Sequence, residues 1–253
     1  MPQLQSLISF LDTFLETSRY TDISLNGLQV ESSGTEVRTL AVAVDAGMSV
    51  IEAAVEKGAD LLIVHHGLFW GDQLPITKTL AKKIELLQRS RCSLYASHLP
   101  LDGHPEVGNA ACLARELKLT NMEGYFGYRG MNIGTRARSE KPRHMNDYVE
   151  MTTSLLGVQH QVVLPFGSPT INTVGIVTGS GSSAIPECAE NNIDLLITGE
   201  PKQEAYHLAK DLKVNVLFTG HYATETFGVR ALAAKMEKSF DLQTLFIDEP
   251  TGI

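Results

Sequence analysis

The sequence predicts an α/β protein made of two similar halves, and two observations carry this prediction. Short apolar runs typical of buried strands recur along the 253 residues, with helical patterns between many of them. One strand–helix–strand segment occurs twice. Alternation of strands and helices is typical of βαβ units and a mostly parallel sheet. A duplicated unit predicts two halves of related build.

The first predicted element is an N-terminal helix, because apolar residues recur there at helical spacing. These residues are Leu4, Leu7, Ile8, Leu11 and Leu15. The predicted strands cover residues 40–44, 61–64, 93–97, 161–164, 174–178, 195–198 and 215–219. The later predicted helices include 49–57, 80–89 and 144–156, and Gly157 ends the last of these.

The duplicated unit aligns residues 37–63 with residues 171–197 without a gap. The run Asp-Leu-Leu-Ile that starts at Asp60 recurs intact at Asp194. Further along, the segment SLYASHLPLD resembles NVLFTGHYATE, so each half has a strand that ends in histidine with a carboxylate four residues later. We therefore predict one α/β half at 1–125 and a second at 126–253, together forming one compact unit.

Imidazoles and carboxylates lie at the ends of four predicted strands. They are His65, His66, His98, Asp102, Glu200, His221 and Glu225. In open parallel sheets, ligands bind beyond the carboxyl ends of the strands. Mixed imidazole and carboxylate donors suit Zn, Fe, Mn, Co or Ni, and a roughly two-fold cluster of them is typical of two neighbouring metal ions.

The spacing within these motifs indicates how they fold. His221 and Glu225 are four residues apart at a predicted helix start, which places both on one face. Pro100 excludes a regular helix between His98 and Asp102, so a turn must bring those two residues together. For His98 two interpretations stay open, direct ligation or a hydrogen bond to a ligand or to bound water.

Other polar and aromatic residues favour structural roles. Glu204 and His207 are typical of a surface helix, and Trp70 fits a pocket wall and a core position equally well. A basic cluster fits a solvated loop. The cluster consists of Arg136, Arg138, Lys141 and Arg143.

The bulk properties exclude several classes of protein. A net charge of −8 and a pI near 5.5 disfavour nucleic-acid binding. Cys92, Cys112 and Cys188 form no CxxC pair, which predicts reduced thiols in a cytoplasmic protein. The N-terminus lacks the features of a signal peptide, and no apolar run is long enough for a membrane span.

Five motifs together resemble the NIF-three-like dinuclear metal centre family, and the likeness covers essentially the whole chain. They are NGLQV (26–30), GADLLIVHHGLFW (58–70), SHLPLDGHPEVGN (97–109), DLLITGE (194–200) and GHYATETFGVRAL (220–232). Members are commonly named GTP cyclohydrolase 1 type 2 homologues, and this sequence is most similar to the short bacterial form.

The resemblance implies two α/β halves that face each other across a cleft holding a dinuclear metal site. It also implies two divalent metal ions per chain, a bridging role for Glu225 and a ring-shaped homohexamer. The implied metal ligands are His65, His66, Asp102, His221 and Glu225.

We expect a metal-dependent hydrolase that acts on a nucleotide, in keeping with GTP ring opening, or on a related heterocycle. His98 and Glu200 are the candidates for moving protons. The alternative is a non-enzymatic metal-handling protein or a ring-shaped interaction scaffold.

Overall fold

The computed structural model describes residues 1–158 and 161–253, which form two compact units. The first unit comprises Met1–Leu101 and Val229–Glu249, and the second comprises Asp102–Gly228 and Pro250–Ile253. Each unit contains its own β-sheet with helices around it, so the predicted α/β class is confirmed, and the structure has two sheets. The division into sequence halves at residue 125 stays a prediction.

The elements follow one another along the chain as helices α1–α9 and strands β1–β11. The helices are α1 Leu4–Phe14, α2 Met48–Glu56, α3 Lys78–Arg89, α4 Leu99–Asp102, α5 Asn109–Glu116, α6 Met145–Leu156, α7 Ile185–Glu190, α8 Gln203–Leu212 and α9 His221–Phe240. The strands are β1 Gly27–Val30, β2 Thr39–Asp45, β3 Leu61–His66, β4 Ser93–Ala96, β5 Thr120–Tyr128, β6 Met131–His144, β7 Val162–Pro165, β8 Thr170–Val177, β9 Leu195–Thr198, β10 Asn215–Phe218 and β11 Gln243–Phe246.

The sheet of the first unit has the strand order β1-β4-β3-β2-β11. Strands β2, β3, β4 and β11 are parallel, and β1 is antiparallel to β4 at the edge. The parallel strands β2, β3 and β4 are almost wholly buried, which explains why they were recognisable as continuous apolar runs. The core around them includes Ile51, Leu62, Val64, Leu87 and Leu94.

The sheet of the second unit has the order β5-β6-β8-β9-β10-β7. Strands β8, β9 and β10 are parallel and form its buried centre, whereas β7 runs antiparallel to β10. The core on one side includes Tyr148, Val174, Leu195 and Leu217, and on the other Ile185, Leu196 and Phe218.

The long hairpin β5–β6 corrects one sequence interpretation. The basic cluster was expected in a solvated loop, but its four residues all belong to β6. Strand β6 hydrogen-bonds to β5 on one side and to β8 on the other, with a register shift between Arg138 and Arg143. Hydrogen bonds to a neighbouring strand on each side stabilise β6, although its polar composition is typical of a loop. The tendency of a residue to adopt a strand conformation depends strongly on its cross-strand neighbours.

The duplicated aspartates make the same contacts in both units, which supports the predicted repeat. Oδ2 of Asp60 accepts two backbone N–H groups at 2.8 and 2.9 Å, and Oδ2 of Asp194 accepts two at 2.8 and 2.9 Å. The donors are Arg38 and Thr39 in the first unit and Asn172 and Thr173 in the second. Each aspartate thereby joins the start of one parallel strand to the turn before the next.

We expect Asp60→Ala and Asp194→Ala to lower the free energy of unfolding by similar amounts, about 1–3 kcal/mol each, because each leaves two backbone donors without their acceptor. Urea unfolding of the metal-free protein, followed by circular dichroism, measures the change. Asp72→Ala is the control, since Asp72 is exposed, and should change the value by less than about 0.5 kcal/mol. A loss in only one of the two variants would contradict the equivalence.

The three cysteines are buried free thiols, as predicted for packing residues. Burial raises the pKa of Cys92 to about 12, so this thiol stays protonated. Within residues 1–158 and 161–253, no helix has the length and apolar character of a membrane span.

Candidate metal centre

Strand β3 carries the tandem histidines of the first unit. The strand extends through His66, which pairs with Asp45 of β2, so both histidines lie inside the strand and not after it. His65 is fully buried and His66 is half-buried. Their ring centroids are 4.6 Å apart.

His98 completes a group of three imidazoles in this unit. Its ring centroid lies 5.1 Å from that of His65 and 5.7 Å from that of His66. One nitrogen of each ring lies within 4.8 Å of one nitrogen of the other two, a spacing at which the three could hold one metal ion. The structure therefore brings together the first-unit residues that the sequence singled out.

In the second unit, helix α9 begins at His221, as the sequence predicted. Nε2 of His221 lies 3.2 Å from Oε2 of Glu225, so the i, i+4 pair does share one face. A carboxylate oxygen of Asp102 lies within 4.8 Å of one from Glu225. Asp102 is only 8% exposed and Glu225 only 2%. Two buried carboxylates so close together repel each other and are stabilised by a cation, so this donor set fits a metal ion.

Asp102 lies at the end of α4, which corrects the expectation that Pro100 excludes a helix. Pro100 is the second residue of this four-residue helix, where a missing backbone N–H removes no helical hydrogen bond. Oδ1 of Asp102 accepts from Nδ2 of Asn109 at 2.9 Å and from the hydroxyl of Thr178 at 3.0 Å. These donors fix the carboxylate in one orientation.

The first-unit group consists of His65, His66 and His98, and the second-unit group consists of Asp102, His221 and Glu225. In all four of these histidines, Nδ1 faces an oxygen acceptor. The pairs are His65 with the Ser97 carbonyl at 2.9 Å, His66 with Asp45 at 2.8 Å, His98 with Asp22 at 3.0 Å and His221 with Glu200 at 3.0 Å. Histidine ligands characteristically donate their second N–H to such an acceptor, which sets the tautomer and orients the ring. In His65, His66 and His98, a proton on Nδ1 leaves the lone pair on Nε2 of the neutral ring.

The sequence did not identify two of these acceptors, Asp45 and Asp22. Asp45 ends strand β2, so the strand-end criterion that selected the other residues could have found it. Asp22 lies in an irregular segment before β1 and carries no comparable signal. Burial acts to raise the pKa of Asp22, but the interaction with His98 and the hydrogen bonds from Asn26 and Ser24 together hold this pKa well below its usual range.

The carboxylates of the second unit make His221 strongly basic. The hydrogen bond with Glu225 is the main cause, and together with Glu200 it raises the pKa of His221 to about 9 against the effect of burial. The hydrogen bond with His221 in turn lowers the pKa of Glu200. The group concentrates negative charge around one imidazole, where a metal ion and a proton compete for the same nitrogen.

Gly179 shapes the second-unit group without contributing a ligand. Its backbone has φ of +61°, a left-handed conformation that favours glycine. A Cβ at this position would overlap Oε1 of Glu225 and would lie 3.0 Å from Nε2 of His221. The loop after β8 can therefore approach Glu225 and His221 only if residue 179 has no side chain.

Of the remaining candidates, Glu204 and His207 lie away from the two groups, whereas Trp70 and Glu200 each contact one member of a group. Glu204 and His207 are exposed on α8, as predicted. Trp70 is half-buried, its Nε1 donates to the Gly67 carbonyl, and its ring lies edge-on to His98 at 5.1 Å. Glu200 contacts Nδ1 of His221, a geometry suited to orienting that ring, and its catalytic role stays a prediction.

Comparison with known proteins identifies the family. The model of the family Duf34/NIF3 (NGG1p interacting factor 3) matches residues 2–252. The chain belongs to the DUF34/NIF3 family. Two curated relatives, each named "GTP cyclohydrolase 1 type 2 homolog", support this. The one from Deinococcus radiodurans is 42% identical over 98% of this chain and 93% of its own. The one from Archaeoglobus fulgidus is 43% identical over 99% of both chains.

Two solved structures share the fold of this chain. The protein TTHA1606 from Thermus thermophilus superposes with a TM-score of 0.92 at 40% identity, over 100% of both chains. The protein ybgI, described as of unknown function, superposes with a TM-score of 0.93 at 31% identity, again over 100% of both chains. The family model and the curated relatives confirm the family membership that the five sequence motifs indicated.

Proposed function

We propose that this DUF34/NIF3 protein holds two divalent metal ions and uses them to hydrolyse a nucleotide or a related heterocycle. The proposed ligands are His65, His66, Asp102, His221 and Glu225. The observation that carries the proposal is the donor chemistry within each unit. In the first unit, the imidazoles of His65 and His66 are held in place by hydrogen bonds to Nδ1. In the second unit, the imidazole of His221 is held in the same way, and the buried carboxylates of Asp102 and Glu225 lie close together.

Two neighbouring divalent ions, when bound, supply a water of lowered pKa and polarise the atom under attack. The protein's own residues supply the positioning. Asp45 and the Ser97 carbonyl hold the rings of His66 and His65, and Glu200 holds that of His221. Glu225 is the proposed bridging ligand, as the family resemblance implies, and its two carboxylate oxygens allow one to face each ion. His98, which is not needed in the ligand set, is the proposed carrier of a proton.

A nucleotide or related heterocycle is the proposed substrate class for two reasons. Curated relatives at 42–43% identity carry the name "GTP cyclohydrolase 1 type 2 homolog". In addition, the indole of Trp70 lies beside the imidazole of His98, which places an aromatic surface next to the proposed proton carrier. The net charge of −8 means that phosphate groups must be bound locally, by a metal ion or by backbone N–H groups.

The test is a panel of nucleotides, intact and oxidised, incubated with metal-loaded protein and analysed by mass spectrometry. We expect hydrolysis of GTP or a damaged purine nucleotide, its loss on chelation, and its loss in His65→Ala, because His65 is a buried member of the proposed ligand set. His207→Ala is the matched control, since that histidine is exposed on α8. Turnover that persists in His65→Ala would come from a contaminant and would contradict the proposal.

A second candidate function is metal handling without catalysis, and partial exposure of two ligands favours it. The side chain of His66 is 19% exposed and that of His221 is 27% exposed, which allows metal ions to enter and leave. Absence of turnover on every heterocycle, together with rapid metal transfer to an apo acceptor, would support this function over hydrolysis.

The proposed assembly is a homohexameric ring, as the family resemblance implies, because closed symmetry satisfies every interface of a homo-oligomer. Light scattering should give a mass about six times that of the 27.6 kDa chain. A stable monomer at micromolar concentration would contradict the ring.

A further inference from the structure

Two residues of the segment before β1, Asp22 and Asn26, hydrogen-bond to His98, one to its ring and the other to its backbone. Nδ1 of His98 lies 3.0 Å from Oδ1 and 3.1 Å from Oδ2 of Asp22. The backbone N–H of His98 donates to Oδ1 of Asn26 at 2.7 Å, and Nδ2 of Asn26 donates to Oδ2 of Asp22 at 2.9 Å. Asn26 therefore joins the backbone of His98 to the carboxylate that binds its ring.

Asp22 differs from the other carboxylates that orient histidines. Its side chain is only 2% exposed, compared with 39% for Asp45 and 31% for Glu200. Burying a carboxylate costs free energy unless hydrogen bonds compensate. Asp22 has this compensation, because it also accepts the backbone N–H groups of Ser24 and Leu99, both at 3.1 Å.

Both oxygens of Asp22 are surrounded by donors. Oδ1 faces the Ser24 N–H, while Oδ2 faces the Leu99 N–H and the Asn26 amide group. An amide side chain at position 22 would have to direct its NH2 group at one of these donors. The surroundings thus require an acceptor on both sides, which only a carboxylate provides.

We propose that Asp22 is a positioning residue that holds the ring of His98 with its proton on Nδ1, so that the lone pair on Nε2 is the one available to the reacting groups. This role in catalysis rests on the function proposed above, whereas the tautomer itself does not. The proton transfer itself belongs to the proposed function, in which Nε2 would take a proton from the attacking water and pass that proton to the leaving group. Throughout, the Nδ1 proton stays hydrogen-bonded to Asp22.

Nitrogen-15 NMR of zinc-loaded protein labelled only at histidine tests the tautomer without any turnover, and His98→Gln assigns the His98 signals. We expect the wild-type protein to carry the proton on Nδ1 of His98. In Asp22→Asn the His98 signals should shift toward the Nε2–H form or double, while metal content stays at the wild-type value. In Asp45→Asn, where the altered carboxylate serves His66, the His98 signals should not move.

Wild-type His98 with its proton on Nε2 would overturn the proposal, and that measurement requires no variant to fold. Unchanged His98 signals in Asp22→Asn, or loss of metal from that variant, would also overturn it. If the panel yields a substrate, Asp22→Asn should lower kcat about 10–100-fold with little change in KM. If no nucleotide of the panel is hydrolysed but His98 carries its proton on Nδ1, the result would count against the proposed function. The positioning of His98 by Asp22 would still hold.

Discussion

Glu225→Ala is expected to remove most of the bound metal, from close to two ions per chain in reloaded protein to less than one. Glu225 is 2% exposed, lies 3.2 Å from Nε2 of His221 and has an oxygen within 4.8 Å of one from Asp102. A carboxylate that bridges two ions contributes to both, so its loss affects both proposed sites. Elemental analysis of protein purified without chelator and then reloaded measures the effect.

Two variants serve as controls for this loss. Glu204→Ala removes an exposed carboxylate of α8 and should leave the metal content unchanged. His98→Ala should also leave the metals largely in place, because His98 is outside the proposed ligand set. Wild-type protein that saturates at one ion per chain would contradict the two-metal proposal, and retention of two ions in Glu225→Ala would contradict the bridging role.

The sequence predicted the buried parallel strands and most of the residues in the two groups. Strand β9 was predicted at Leu195–Thr198, where it occurs, because both faces of a parallel strand are covered and its residues are uniformly apolar. The rule that ligands gather at the carboxyl ends of parallel strands singled out His65, His66 and His221, although His65 and His66 prove to be the last two residues of β3 itself. The i, i+4 geometry of His221 and Glu225 followed from helical spacing alone.

Elements that depend on pairing partners were not predictable in the same way. Strand β6 is polar and half-exposed, and its extended conformation depends on pairing with β5 and β8, which a one-dimensional pattern does not reveal. Asp22 illustrates the same limit for side chains. Its importance comes from a contact with His98, 76 residues away in sequence, and neither periodicity nor spacing links two such positions.

Gly179→Ala is expected to weaken metal binding although residue 179 supplies no ligand. The backbone at this position has φ of +61°, which costs about 1–2 kcal/mol for a residue with a Cβ. The added methyl group would also overlap Oε1 of Glu225 and crowd Nε2 of His221, so the ligands must move for the variant to fold. Small displacements of ligand atoms lower metal affinity strongly, because metal–ligand distances tolerate only about 0.2 Å.

Gly157→Ala separates this crowding from backbone strain. Gly157 ends α6 with φ of +65°, close to that of Gly179, but among residues 1–158 and 161–253 no atom lies within 4 Å of a Cβ at this position. Both variants should therefore lose about 1–2 kcal/mol of unfolding free energy from the backbone alone, with a larger loss for Gly179→Ala. Only Gly179→Ala should bind metal more weakly in competition with a chromogenic chelator. Equal metal affinity in the two variants would show that the loop after β8 does not constrain the Glu225 carboxylate.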